Sequence, residues 1–245
     1  MLEINATKLY YRDLNAMIRE AVAKGEKEIV VKGVNGQYYI GDGLVGSSMI
    51  TIEGVPGNDL AAFMDGPVIR IKGNGQDNIC NTMNSGKVII EGNAGDVLGY
   101  GMRGGKLFIR GSVGYRVAIH MKGTKKQSPT IVVGGTAGDF FGEYMAGGVL
   151  ILLGLDAEEG ASLAGDYLGT GMHGGLIYVR GEVDPNLCGA EVGIGELDDE
   201  DMAMLRETLT EYCKDMSLSL DDVMKKGFKK LYPASLRPYG NLYAY

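Results

Sequence analysis

Short runs of alternating apolar and polar residues recur along the chain, and each ends on glycine. They are EIVVKG (Glu28–Gly33), MITIEG (Met49–Gly54), VIRIKG (Val68–Gly73), KVIIEG (Lys87–Gly92), KLFIRG (Lys106–Gly111), TIVVGG (Thr130–Gly135), VLILLG (Val149–Gly154) and LIYVRG (Leu176–Gly181). Positions −4 and −2 from the glycine read Ile29/Val31, Ile50/Ile52, Ile69/Ile71, Val88/Ile90, Leu107/Ile109, Leu150/Leu152 and Ile177/Val179, with Thr130/Val132 when the sixth run is ended at Gly134. This is a β alternation with one buried face. Gly54, Gly73, Gly92 and Gly111 are spaced by 19 residues, and the steps onward from Gly134 to Gly154 and Gly181 are 20 and 27. Nine residues before the glycine stands a methionine: Met64, Met83, Met102, Met145 or Met172, with Met121 displaced by an insertion around Thr124–Pro129. Rungs this short cannot bury their faces alone, whereas stacked parallel rungs bury one another. Residues 28–181 therefore read as a mainly β, single-stranded parallel β-helix of about eight rungs. At about 4.8 Å per step that is a rod on the order of 34 Å long.

The outward positions carry two further patterns. Position −1 reads Lys32, Glu53, Lys72, Glu91, Arg110, a ladder of alternating charge that favours this register. Position −3 reads Ile89, Phe108, Ile131, Ile151, Tyr178, an apolar stripe that must be covered. The chain's own terminal segments or a partner subunit could cover it, and the stripe is the candidate partner interface.

The flanking segments lack the repeat. DLNAMIREAVAK (13–24) spaces Leu14, Met17, Ile18, Ala21 and Val22 as an amphipathic helix that Gly25 stops, suited to capping the first rung. From Asp198 to Asp215, Met202, Leu205, Leu209 and Tyr212 make a second helical stripe. Ser219 before Leu220-Asp221-Asp222 suggests a third helix ending near Gly227. The expected organisation is a capping helix region (1–27), the β-helix (28–181), and a linker with a helical tail (182–245). That tail closes on the Tyr-rich LYPASLRPYGNLYAY, which must pack on something.

Composition narrows the function. Glycine numbers 40 of 245 residues, which the corners of a solenoid explain; Gly54, Gly73, Gly92, Gly111, Gly134, Gly154 and Gly181 are the structural turn glycines. Net charge is −7, without the basic footprint of a nucleic-acid or anionic-membrane binder. No apolar run approaches the roughly 20 residues that span a bilayer, and MLEINATKLYYRD has no secretory pattern. Three cysteines without a CxxC, and only His120 and His173, fit a reducing cytoplasm and no metal site. GYGMRG (Gly99–Gly104) and GTGMHG (Gly169–Gly174) match G-x-G-x-x-G, but each precedes a strand, whereas a dinucleotide site needs a helix there. Asp96, Asp139 and Asp166 recur at the corners NAGD, TAGD and LAGD. They read as turn caps, with a groove of catalytic carboxylates as the alternative. Cys80 reads as a small buried residue.

The segments GDVLGYGMRGGKLFIRG (Gly95–Gly111), TAGDFFGEYMAGGVLILLG (Thr136–Gly154) and GDYLGTGMHGGLIYVRG (Gly165–Gly181) resemble the GXGXG domain, the C-terminal right-handed β-helix of the glutamate synthase large subunit. VNGQYYIGDGL (Val34–Leu44), GVPGNDLAAFMDGP (Gly54–Pro67) and FKKLYP (Phe228–Pro233) resemble the stand-alone, archaeal-type version. The resemblance implies right-handed coiling and a non-catalytic, structural subunit of a split glutamate synthase. Its partners would be a glutaminase-type amidotransferase subunit and an FMN synthase subunit. The resemblance also implies that FMN and an iron–sulfur cluster are held by those partners and not by this chain. In glutamate synthase the domain braces the two catalytic units, between which ammonia passes. The same motif occurs in the C subunit of formylmethanofuran dehydrogenase and related formyltransferase/hydrolase complexes, which is the alternative assignment.

Overall fold

The structure, a computed structural model, describes residues 1–123 and 127–234. Nine strands stack in parallel and in chain order: β1 (Leu2–Asn5), β2 (Glu28–Asn35), β3 (Met49–Val55), β4 (Asp65–Lys72), β5 (Ser85–Ile90), β6 (Lys106–Ile109), β7 (Thr130–Val133), β8 (Ala146–Leu152) and β9 (Gly174–Arg180). The solenoid read from the repeat is present. It gains a strand at its start because LEIN, too short to show a period, pairs in register with β2 from Leu2↔Ile29 to Asn5↔Lys32.

Inward residues form continuous columns. Ile29, Ile50, Ile69, Val88, Leu107, Leu150 and Ile177 stack along one line, and the six repeat methionines, Met64 to Met172, stack along another; all are buried. A third column runs Gly41, Ala61, Cys80, Gly99, Ala118, Gly142, Gly169, where space is short: a Cβ on Gly99 would press into the Ile131 side chain, and one on Gly142 into Ile177. Cys80 fills its place in that column as a small buried residue.

The sixth run departs from its reading by one residue. Ile131 pairs with Leu107 and Leu150, and Val133 with Ile109 and Leu152, so the inward pair is Ile131/Val133. The repeat glycine is Gly135, whose N–H bonds Gly111 O at 2.9 Å, and not Gly134. The double glycine offered two ends for the run, and a slip of one exchanges the faces of a strand.

Both ends of the coil are closed by groups that replace a missing rung. Helix α1 (Tyr11–Ala23) buries Leu14, Ile18 and Ala21 against the first coil. From its polar side Asn15 Nδ2 donates to Tyr38 O at 2.9 Å, and Arg19 donates to Asp42 O. Those donors, four residues apart, meet carbonyls four residues apart. At the far end the sheet turns antiparallel. Strand β11 (Phe228–Pro233) pairs with β9, and β10 (Val192–Gly195) pairs with β11. The Glu191 carboxylate accepts the Gly171 N–H that would otherwise bond a further coil. Residues 192–233 are thus a strand–helix–helix–strand unit, with α2 (Asp199–Met216) and α3 (Leu220–Met224) between β10 and β11. The non-local antiparallel pairing of β10 and β11 has no periodic signal. Part of the Tyr-rich tail, residues 235–245, lies outside the described residues.

Candidate interaction surface

Two outward faces of the solenoid carry large side chains. The flat β-sheet face holds the apolar stripe. Phe108, Val132, Ile151 and Tyr178 align across β6 to β9 and are fully buried, and Ile89 precedes them on β5 at 1% exposure. The cover over Phe108, Val132, Ile151 and Tyr178 is α2, which sets Leu205, Leu209, Tyr212 and Cys213 against them. Of the proposed partner interface, Ile89, Phe108, Ile151 and Tyr178 are therefore closed by the chain itself. Ile131 lies inside the core, because the slip in β7 puts Val132 in its place.

Hydrogen bonds and charges fix α2 on this face. The Tyr212 ring meets Phe108 edge-on at 5.5 Å, and its hydroxyl donates to Ile109 O at 3.0 Å. Gly134 lies beneath that hydroxyl, and a Cβ there would press into it and into Arg110 O. Lys87 and Lys106, neighbours across β5 and β6, would repel each other alone. Glu211 accepts from both, and Asp215 accepts from Lys87 at 2.7 Å and from Arg70 at 3.3 Å. Burial pushes the Glu211 carboxyl up, but hydrogen bonds from Lys106 and Lys87 outweigh it and leave it below its ordinary value. At the start of α2, Asp198 and Asp201 cap the helix reciprocally. The buried Asp201 also accepts from Tyr178 Oη at 2.5 Å and Lys230 Nζ at 2.6 Å. Burial, then the bond to Asp201, drives the Tyr178 hydroxyl far above its ordinary range.

The second face is the edge made by the connections between strands. Here three residues per coil sit at positive φ, two apart: Asp59/Ala61/Phe63, Asn78/Cys80/Thr82, Arg116/Ala118/His120, and so on to Tyr167/Gly169/Gly171. The left-handed conformation costs a residue other than glycine about 1–2 kcal/mol. It is held by bonds to both neighbouring coils: Asp59 N–H to Asp77 O at 3.0 Å, Ala61 N–H to Ile40 O at 2.8 Å, and Phe63 N–H to Asn81 O at 2.8 Å. The middle residue of each triplet points into the small-residue column. Outer positions carry the exposed Tyr39, Phe63, Tyr144 and Tyr167, together with Tyr38, Tyr100 and Tyr115 on the same edge, while Thr82 is buried. Rings stack along the rod: His120 on Tyr144 at 5.4 Å, and Phe140 on Tyr167 at 4.9 Å. The Arg116 guanidinium lies 4.4 Å over Phe140 and pairs with the buried carboxylate of Glu143.

The corner aspartates belong to this edge and bond the next coil rather than their own turn. Asp77 Oδ1 accepts from Asp96 N–H, Asp96 Oδ1 from Tyr115 N–H, and Asp139 Oδ1 from Asp166 N–H, each at 2.9 Å. An Asn74–Asn93–Ser112–Thr136 ladder does the same one column away. Asp139 and Asp166 lie in adjacent coils, Asp96 is separated from them by the coil of Tyr115, and Asp96 and Asp139 act as coil-to-coil caps. Both G-x-G-x-x-G segments lead into strands, Gly99–Gly104 into β6 and Gly169–Gly174 into β9. Burial pushes the Cys80 thiol far up, so it stays protonated. Among the described residues no group of three or more His, Cys, Asp or Glu is placed to hold a metal ion, and no helix is long and apolar enough to cross a membrane.

The exposed rings escaped the sequence reading. Their signal was the residue before each repeat methionine, which runs Phe63, Thr82, Gly101, His120, Tyr144, Gly171 and is aromatic or His in three coils.

Comparison with known proteins places these features in a family. The GXGXG motif family matches residues 12–235. An uncharacterized protein of Methanocaldococcus jannaschii is 44% identical over 249 residues, covering 98% of this chain and 95% of that protein.

Proposed function

The chain belongs to the GXGXG motif family, and from that premise we propose that it is a non-catalytic structural subunit of a cytoplasmic, split glutamate synthase. In this reading it braces a glutaminase-type amidotransferase chain and an FMN-dependent synthase chain. The complex converts glutamine and 2-oxoglutarate into two glutamates, with FMN and an iron–sulfur cluster held by the partners. The observation that carries the reading is the pairing of a stiff, doubly capped rod with an exposed aromatic edge. Nine stacked strands make a strut about 38 Å long. Ammonia transfer between two sites requires their separation to stay fixed and water to stay out, and a solenoid bonded coil to coil resists bending. The three cysteines are free, as suits a reducing compartment.

Affinity isolation of the tagged chain from its native host, with mass spectrometry of what co-elutes, tests the reading. The expected result is a glutaminase-like chain and an FMN synthase chain at stoichiometric yield, with glutamine-dependent glutamate formation lost when this chain is deleted. Recovery with molybdopterin and amidohydrolase-like chains, or recovery of the chain alone while both glutamate synthase partners are expressed, would overturn it.

A further inference from the structure

The two outward faces differ in how their charges are satisfied. On the sheet face Arg70, Lys87 and Lys106 are all paired with carboxylates of α2. On the edge, Asp42, Asp59, Asp65, Asp96, Asp139 and Asp166 have no ion-pair partner among the described residues. Asp42 and Asp59 sit near enough in successive coils that burial, and then the charge of Asp42, raise the Asp59 carboxyl above its ordinary value. These six carboxylates lie along the same edge that exposes its rings, where Arg103, Lys122 and His173 take the place of Asp65 in later coils.

The edge also shows what compensates it. Arg116 lies flat on Phe140 while its guanidinium reaches Glu143, so a ring and a carboxylate together seat one arginine. The same two elements recur beside it without a cation. Tyr115 bonds Asp96 through its N–H, Tyr167 follows Asp166, and Phe63 lies between Asp59 and Asp65 in one coil. We infer that this edge is the docking surface for a partner protein whose contacting face presents arginine and lysine side chains, each set between an exposed ring and an unpaired carboxylate. The inference rests on the scaffold reading and specifies which surface does the bracing.

A basic protein face fits better than other occupants. Anionic ligands, nucleic acid included, meet repulsion from the carboxylates. Backbone held from both sides and rings stacked in advance leave little to order on binding.

The test is zero-length carbodiimide cross-linking of the tagged chain in its native assembly, which joins carboxylates to lysines in contact, followed by peptide mass spectrometry. Links from Asp42, Asp59, Asp65 or Asp166 to partner lysines are expected. In parallel, the Asp42→Lys/Asp166→Lys double variant, altering two carboxylates that accept no side-chain-directed hydrogen bond, is expected to lower recovered partner about tenfold. Glu207→Lys, on exposed α2, is expected to lower it little. Links confined to carboxylates elsewhere, or undiminished partner with the double variant, overturn the surface and leave the scaffold reading standing. A glycan in place of a protein partner also overturns it. Recovery of the wild-type chain alone overturns the scaffold reading and this surface together. Should the double variant fail to fold by circular dichroism, the wild-type cross-links decide.

Discussion

The flat sheet face and the left-handed edge both carry aromatic side chains away from the solenoid core, and the chain treats them in opposite ways. Over the sheet it folds back α2, buries Phe108 and Tyr178 fully, and pairs Arg70, Lys87 and Lys106 with α2 carboxylates. Along the edge it leaves Phe63, Tyr100, Tyr115, Tyr144 and Tyr167 exposed beside unpaired aspartates. The sheet face can be covered because its strands present a flat, regular row into which a helix packs. The edge is made of residues held at positive φ by neighbouring coils, a rigid ridge that nothing in the described chain covers. An apolar residue facing outward is thus ambiguous in a sequence, and what separates structure from interface is whether the charges around it are matched from within the chain.

Substitutions should divide along the same line, with those on the sheet face costing stability and those on the edge costing assembly. Phe108→Ala removes a fully buried ring from the α2 contact and should lower stability by about 4 kcal/mol in denaturant unfolding. Asp201→Ala breaks the helix cap and the bonds to Tyr178 and Lys230 together, and should cost about 3 kcal/mol by the same measurement. Tyr212→Phe loses only the bond to Ile109 O and should cost about 1 kcal/mol.

Acid should weaken the same face. Burial raises the Asp201 carboxyl, but bonds from Lys230 and Tyr178 outweigh it, so Asp201 and Glu211 both lie below their ordinary values of 3.8 and 4.5. Depressed carboxyls contribute stability that is present above their unfolded values and lost as pH falls through the folded ones. The midpoint of unfolding should therefore drop as pH falls below about 4.5, and Glu211→Gln should flatten that drop. The smallest effect belongs to the edge. Phe63→Asn replaces an exposed ring at φ 56 with a residue that tolerates that conformation, and should raise the melting temperature slightly or leave it unchanged while weakening assembly.

Much of this architecture is written in the repeat. A 19-residue period, a terminal glycine and an inward pair at every strand determine stacked parallel rungs, and the stripe at Leu205, Leu209 and Tyr212 determines α2. The failures have separate physical causes. Gly134-Gly135 offers two ends for the sixth run, and ending it at Gly134 turns Ile131 outward although it pairs with the inward Leu107 and Leu150. The site of α2 was present as a second charge column: Lys87 and Lys106, five residues before their glycines, await Glu211 and Asp215, which are four residues apart on one helix face. The edge was hidden because Phe63, His120 and Tyr144 adopt a conformation usual for glycine, imposed by hydrogen bonds from adjacent coils and not by their own preference.

Hydroxyl-radical footprinting of the free and assembled chain tests the central contrast most directly, since tyrosine and phenylalanine rings report their own exposure. On assembly, Tyr100, Tyr115, Tyr144 and Tyr167 should lose reactivity, while Phe108 and Tyr178 stay unreactive in both states. Unchanged reactivity of the four edge tyrosines, with protection appearing instead on the outer surface of α2, would contradict the account.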